Sequence, residues 1–273
     1  MSKRILIVDC GGVGAAQLLG MMNGPCSVGG GSGDAPKPWF DIQAKAGSKS
    51  ADVFIFDTIG EDYYGGVSAK GFAEELNALE GVTDLNVHIN SPGGSVFDGV
   101  AIYNLLAKHE AAVNVHIEGM ALSIASIIAM AGDTVTIAEN AMLMIHNPWQ
   151  IAVGDAIELR KTADMMDVVK GQMVATYKHK TGLEDSLLSD MMDEETWLTG
   201  DEAVAQGFAD TVSSPMAMAA CAAFDYSGYK HTPEALLAKG RKMHAKIKAP
   251  DTVQVKAKGA SRRRHLDLLE LEL

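Results

Sequence analysis

Two kinds of hydrophobic spacing alternate along the middle of the chain. Short segments typical of strands occupy 51–60, 84–94 and 112–119, and two more lie within 134–149. Between them, apolar side chains recur every three or four positions over 68–79 and 95–109, which is helical spacing. This alternation of strand and helix predicts an α/β fold with a largely parallel sheet. Such sheets place their sites at the carboxyl ends of the strands.

The helical segments carry recognisable caps and apolar stripes. Ser68 precedes the segment 68–79 and is expected to cap it. In 95–109 the stripe is Val96, Val100, Tyr103 and Leu106. A short helix is predicted over 122–131 and a long one over 155–182, where the stripe is Met165, Val169, Met173 and Tyr177. A stripe on a helix this long indicates a packing face, and the partner can be another subunit. Residues 196–212 are typical of a turn, a short helix and a closing strand.

Composition divides the chain into a central domain and two flanks. We expect an N-terminal segment with a Gly/Ser/Pro-rich linker at 1–37, a domain at 38–213, and an Ala/Met-rich and then basic extension at 214–273. The opening RILIVDCGGVG superficially resembles a dinucleotide-binding turn, with Gly12 and Gly14. The third glycine and the later acidic residue of that fingerprint are missing, which argues against a nucleotide role.

Composition also narrows the function classes. With 273 residues, of which 47% are hydrophobic, the chain can bury a full core in one large domain. Its three cysteines lack the spacing of a zinc site or a disulfide framework, so we expect a reducing compartment and no metal. The longest apolar run, near 119–131, is too short to span a bilayer, and the N-terminus lacks a signal-peptide pattern. We therefore expect a cytoplasmic protein without membrane contact.

The net charge of −12 is unevenly distributed. Residues 1–229 carry 12 Lys and Arg against 30 Asp and Glu, whereas 230–265 carry 11 against two. The acidic body argues against nucleic acid as a partner. The basic extension is either a solvated tail or a contact for an acidic partner.

A single serine lies between an apolar strand and an Ala-rich helix, in the stretch GMALSIASII. Ser123 can act there as a nucleophile, because the N–H groups of a helix start favour a developing anion. It can equally be a helix cap. The stretch is not the G-x-S-x-G elbow, so this pattern alone does not decide between the two.

Two other strand ends offer the remaining parts of an acyl-transfer site. His146 follows an apolar run and precedes Asn147-Pro148, a poor core position and a suitable one for a general base. The Gly93-Gly94 pair allows close approach of backbone to a ligand, although it is also typical of a tight turn. Backbone N–H groups of Gly94 and Ile124 are the expected oxyanion hole.

Four segments together resemble the Clp-type serine peptidases, and most closely the phage-encoded branch that matures proheads. They are INSPGGSVFDGVAIYNLL, GMALSIASIIAMAGD, MLMIHNPW and ETWLTGDEAVAQGFAD, in the order and spacing of that branch. The resemblance runs from about Trp39 to Val212. It implies the Clp/crotonase fold, a spiral of β-β-α units with a protruding helix, here 155–180, that packs subunits into a homo-oligomeric ring.

The resemblance also implies the site residues. Ser123 matches the nucleophile, His146 the general base, and Gly94 with Ile124 the oxyanion hole. Glu195 occupies the place of the family's aspartate, and Asp193 is a near alternative. Leu122 stands where the family usually has alanine, which either narrows the substrate groove or marks weakened activity. No cofactor or metal is implied. The expected substrates are capsid or scaffold proteins in the host cytoplasm or within the prohead.

Three other functions stay open. A non-catalytic capsid-assembly or scaffold protein retaining the fold would use the basic extension to dock on acidic surfaces. A serine–lysine peptidase would need a lysine near Ser123, for which Lys161 and Lys170 are the candidates. A crotonase-type thioester hydratase shares the architecture, although the pair of Ser123 and His146 argues against it.

Overall fold

The computed structural model describes residues 39–44, 47–60, 68–214 and 229–234. The predicted N-terminal segment and the Gly12/Gly14 turn lie outside the described residues, as does most of the predicted extension. The architecture is mixed α/β, which confirms the fold class predicted from the strand and helix alternation.

Eight described strands form one sheet. They are β1 (Phe40–Ala44), β2 (Ser50–Phe56), β3 (Asp84–Ser91), β4 (Ala112–Leu122), β5 (Thr134–Ala138), β6 (Met142–Ile145), β7 (Thr196–Thr199) and β8 (Thr211–Ser213). The spatial order is β1-β2-β3-β4-β5-β8, and β6 pairs with both β4 and β7. The pairs from β2 to β8 along this path are parallel, whereas β1 against β2 and β7 against β6 are antiparallel.

Six described helices connect or flank these strands. They are α1 (Ala69–Asn77), α2 (Val96–Ala107), α3 (Ile124–Ala129), α4 (Ala156–Thr181), α5 (Asp185–Asp193) and α6 (Gly200–Ala205). The predicted turn at the start of 196–212 is wrong, because Thr196–Thr199 pairs with β6 as a strand. Strand β1 and helix α5 have no counterpart in the sequence predictions.

The core lies on one face of the parallel strands. On this face, residues in register across the sheet form rows of β-branched side chains that are almost fully buried. One row is Ile55, Ile89, Ile117 and Ile137. The alternate row on the opposite face carries Phe54, His88, His116 and Thr136, all of which are partly buried. Because successive side chains of a strand point to opposite faces, this alternation fixes which face receives the helices.

The sheet branches along β4. Its first half pairs with β5, from Asn114 to Ile117, and its last residues pair with β6, from Met120 to Leu122. The carboxyl ends of β4 and β6 therefore lie side by side, which brings the residues following each strand together.

Helix α2 packs on α3 through a glycine. Ser95 caps α2 by accepting a hydrogen bond from the N–H of Asp98. The buried positions are Val96, Gly99, Ile102 and Leu106, whereas Val100 and Tyr103 of the predicted stripe are only partly buried. A Cβ added at Gly99 would lie 2.2 Å from Cγ1 of Ile124. The stripe is shifted because this contact turns the Gly99 face of the helix inward.

Helix α4 is the long helix predicted at 155–182. Asp155 and Glu158 form a capping box at its start, and Gly182 ends it with a φ of 71°. Only Met173, Val174 and Tyr177 are buried, while Met165 and Val169 pack partly against the core. The first half of the helix is mostly exposed. Within the described parts of the chain, no helix is long and apolar enough to cross a bilayer.

Replacing Gly99 by Ala is expected to destabilise the protein by about 1–2 kcal/mol. Overpacking against Ile124 costs more than the roughly 0.5–1 kcal/mol that alanine contributes to a helix interior. The matched control is Gly171→Ala in α4, where an added Cβ meets nothing within 4 Å, and which should gain roughly 0.5–1 kcal/mol. Urea unfolding of both variants measures the difference. A Gly99→Ala protein as stable as Gly171→Ala would contradict this packing.

Candidate active site

Ser123 lies between the end of β4 and the start of α3 in a strained backbone conformation. Its φ is 53° and its ψ is −128°, a region that non-glycine residues rarely adopt and that occurs at functional sites. Although Ser123 has the N-cap position of α3, its side chain makes no capping hydrogen bond. The hydroxyl lies 2.8 Å from Nε2 of His146 instead.

The strained serine is fixed through its backbone. Its N–H donates to the carbonyl of Met144 on β6 at 2.9 Å. Its carbonyl accepts a hydrogen bond of 2.5 Å from the hydroxyl of Ser126, which lies 2.8 Å from the hydroxyl of Tyr177 on α4. Since Ser126 donates to a carbonyl, the Tyr177 hydroxyl is the donor to Ser126. This buried chain of hydrogen bonds ties the serine to the long helix.

His146 directly follows β6, at the branch of the sheet. The side chains of His146 and Ser123 are both buried, with 8% and 2% of their surface exposed. When Nε2 carries no proton, it accepts the hydrogen bond from the Ser123 hydroxyl, which is the arrangement of a nucleophile and its general base.

The Gly93-Gly94 turn lies directly against the serine. Gly93 has a φ of 102° and Gly94 one of 147°, conformations that favour glycine. A Cβ on Gly93 would lie 2.8 Å from the Cβ of Ser123 and 3.3 Å from the amide nitrogen of Ile124. A Cβ on Gly94 would lie 2.2 Å from the carbonyl oxygen of Ile59. Both glycines are therefore required by close approach as well as by φ.

Ile124 is the first residue of α3. Its N–H belongs to the first turn of the helix and has no acceptor within the helix. The glycine turn lies beside this amide, because a Cβ built on Gly93 would be 3.3 Å from the Ile124 nitrogen.

Glu195, the first candidate for the acid, is buried with 7% of its surface exposed and has a φ of 54°. Its carboxylate accepts hydrogen bonds from Nε1 of Trp197 at 3.2 Å and from the N–H groups of Lys230 at 3.0 Å and His231 at 2.9 Å.

Asp193, the alternative acid, lies at the end of α5 with its side chain half exposed. Its Oδ1 accepts hydrogen bonds from Nδ2 of Asn147 at 2.6 Å and from Nζ of Lys170 at 2.7 Å. These two hydrogen bonds lower the pKa of Asp193. Asp193 thus contacts the residue after His146. The ammonium of Lys170, a candidate partner for Ser123, is paired with Asp193 instead.

Leu122 does not line an open groove. It is 1% exposed and packs with Met120, Met144 and Tyr229 in a small apolar cluster beside the site. Within the described ranges, no group of three or more His, Cys, Asp or Glu side chains is arranged to hold a metal ion.

Comparison with known proteins gives a consistent result. A family model described as Clp protease matches residues 37–216. The chain belongs to the Clp protease family. Its relatives include the "ATP-dependent Clp protease proteolytic subunit 2" of Mycolicibacterium paratuberculosis, 28% identical over 162 residues that make up 59% of this chain and 80% of the relative. Others are the "ATP-dependent Clp protease proteolytic subunit" of Bacteroides fragilis, 31% identical over 50% of this chain and 67% of the relative, and that of Chlorella vulgaris, 34% identical over 50% and 70%.

Some contacts of the site lie beyond what the sequence patterns indicated. Tyr229, Lys230 and His231 follow the part of the chain that matches the Clp family, yet they contact Glu195, Trp197 and His146. No local pattern marks these three residues. Ser126 had a detectable signal, since it is a polar residue three positions after Ser123 in an apolar helix.

Replacing Asp193 by Asn is expected to cost at most about 1 kcal/mol at neutral pH, because the side chain is half exposed. A lowered folded-state pKa stabilises the protein above the unfolded value of about 3.9 and is lost as the pH falls through the folded value. The unfolding free energies of the two proteins should therefore converge in acid. Urea unfolding from neutral to acid pH tests this, with exposed Asp190→Asn as the control. A difference that grows on acidification would contradict it.

Proposed function

We propose that this chain is a serine endopeptidase that hydrolyses peptide bonds through an acyl-enzyme. The observation that carries the proposal is the 2.8 Å hydrogen bond between the Ser123 hydroxyl and Nε2 of His146, in a chain of the Clp protease family. The strained backbone of Ser123 and the adjacent Gly93-Gly94 turn support it.

The proposed reaction follows from these positions. The Ser123 oxygen attacks the carbonyl carbon of the scissile peptide bond while His146 takes the hydroxyl proton. The N–H groups of Gly94 and Ile124 stabilise the oxyanion of the tetrahedral intermediate. His146 then gives its proton to the leaving amine, and a water molecule activated by the same imidazole hydrolyses the acyl-enzyme.

We assign the acid of the triad to Glu195 rather than Asp193. Glu195 is buried beside the site, where an ionised carboxylate can orient an imidazole and stabilise its protonated form. Asp193 is half exposed and already bonded to Asn147 and Lys170. A carboxylate has about four acceptor positions, and the three described donors to Glu195 leave room for a fourth, the His146 imidazole.

The proposed biological role is cleavage of capsid or scaffold proteins during phage head maturation in the host cytoplasm. Four segments of the chain resemble that branch of the family, and a basic stretch at 230–265 follows an acidic body. Clp proteases form oligomeric rings and act on protein substrates. We propose a homo-oligomeric ring for this chain as well, supported by the exposed apolar side chains Val153, Ile157 and Val168 on and before α4.

A second candidate is a catalytically inactive assembly or scaffold protein with the same fold. One observation favours it: residues 230–265 carry 11 Lys and Arg against two Asp and Glu and follow an acidic body. In that case Ser123 would not be activated, and the basic segment would provide the contact with coat or scaffold proteins.

The Ser123→Ala variant is expected to lose all peptide-bond cleavage while it assembles as the unmodified protein does, because the alcohol is the attacking group. Mass spectrometry of the two purified proteins, alone and after incubation with an unfolded substrate such as casein, measures self-cleavage and added products. Cleavage that persists in the variant would contradict the assignment of Ser123.

A paired replacement distinguishes the two acids. Glu195→Gln keeps the shape but removes the charge that stabilises the imidazolium, and we expect kcat to fall about a thousandfold or more. Asp193→Asn should cause a much smaller loss, because among the described residues the Asp193 carboxylate is hydrogen-bonded to Asn147 and Lys170. Casein hydrolysis by both variants measures this. A larger loss in Asp193→Asn than in Glu195→Gln would transfer the role to Asp193.

A further inference from the structure

Residues 229–231 lie against the candidate active site although they follow the region that matches the Clp family, 37–216. We call these three residues the site segment. Its contacts run to four parts of the site: the ring of His146, the carbonyl of Pro92 in the glycine turn, the carboxylate of Glu195 and the backbone of Glu194.

Tyr229 anchors the segment. Its side chain is 9% exposed and packs with Met120, Leu122 and Met144. Its ring meets that of Trp197 edge-on with centroids 5.6 Å apart, and that of His146 in the same manner at 5.7 Å. The hydroxyl donates to the carbonyl of Pro92 at 3.4 Å. A buried aromatic with these contacts fixes the position of the two residues that follow it.

Lys230 and His231 act through their backbone. The N–H of Lys230 donates to Oε2 of Glu195 and that of His231 to Oε1, at 3.0 and 2.9 Å. Nδ1 of His231 also contacts the carbonyl of Glu194. Hydrogen bonds to an ionised carboxylate are among the strong ones. A buried polar group needs hydrogen-bond partners, and these two amides supply them and hold the Glu195 carboxylate in one orientation.

We propose that the site segment is a positioning element for the catalytic acid: the amides of Lys230 and His231, anchored by Tyr229, orient the Glu195 carboxylate toward the His146 imidazole. This rests on the proposed peptidase function and on Glu195 as its acid. The hydrogen bond between Ser123 and His146 is present together with the site segment, since the Ser123 hydroxyl and Nε2 of His146 are 2.8 Å apart. Among the described contacts of the segment, none involves the Ser123 hydroxyl, so the geometry favours support of the acid over blockage of the nucleophile.

The test removes one amide donor in the full-length protein. Lys230→Pro deletes the N–H that bonds to Oε2 of Glu195, and Lys230→Ala deletes only the side chain. The readout is covalent labelling of Ser123 by an alkyl fluorophosphonate, resolved into the binding constant of the probe and the maximal labelling rate. We expect Lys230→Pro to lower the maximal rate on the order of tenfold or more with the binding constant nearly unchanged, and Lys230→Ala to lose far less.

A double-mutant cycle shows whether the segment acts through the carboxylate. In a Glu195→Ala background, Lys230→Pro should have no further effect on the labelling rate. Equal slowing in both backgrounds would overturn the proposal, because it would mean a general structural role. Faster labelling of Lys230→Pro than of the unmodified protein would also overturn it, because the segment would then be inhibitory.

A second pair of variants, at Tyr229, tests the proposal in case the Lys230→Pro variant fails to fold. Tyr229→Ala removes the anchor, whereas Tyr229→Phe keeps the ring and loses only the long hydrogen bond to Pro92. Slow labelling of Tyr229→Ala with recovery in Tyr229→Phe supports the proposal, and equal rates overturn it. Failure of the unmodified protein to be labelled at Ser123 would reject the peptidase function itself. Normal labelling with no effect of either pair would reject only the role of the segment.

Discussion

The branch of the sheet at β4 is the constraint on which the site depends. The first part of β4 pairs with β5 and its last residues pair with β6, and the N–H of Ser123 closes the second ladder by donating to Met144. Two residues separated by 23 positions therefore leave neighbouring strand ends together, and their side chains lie 2.8 Å apart. Without this branch, Ser123 and His146 would follow strands with no reason to end side by side.

Small residues allow the other parts to approach this pair. A Cβ on Gly93 would collide with the Cβ of Ser123, and one on Gly94 would collide with the backbone of Ile59. Gly99 admits the side chain of Ile124, the residue after the serine. The strained backbone of Ser123 is fixed by the hydrogen bond that its carbonyl accepts from Ser126, and Ser126 is in turn hydrogen-bonded to Tyr177. The residues that pack the core beneath Ser123 therefore also position its backbone, so substitutions there change the geometry of the site.

The strands and longer helices of the parallel sheet were predictable because their periodicity is local to each segment. The meeting of Ser123 with His146 was predictable as well, because carboxyl ends of parallel strands share one edge, while their catalytic roles stay predictions. Strand β7 was missed because Thr196–Thr199 is too short to show an alternation of apolar and polar residues, and its last residue caps the next helix. The buried face of α2 was predicted incorrectly because the helix packs on Ile124 through Gly99. This contact depends on tertiary packing and not on the spacing of apolar residues within the helix. The contacts of Tyr229 to His231 with Glu195 join positions about 35 apart, and no local pattern encodes them.

The central claim is that the imidazole of His146 activates the hydroxyl of Ser123. The most direct measurement is intact-mass spectrometry of the unmodified protein and of His146→Ala after exposure to a fluorophosphonate, a reagent that phosphonylates an activated serine with loss of fluoride. The account predicts one adduct per chain, located on Ser123, in the unmodified protein and none in His146→Ala over the same time. Equal labelling of the two proteins, or an unmodified protein that stays unlabelled, would contradict it.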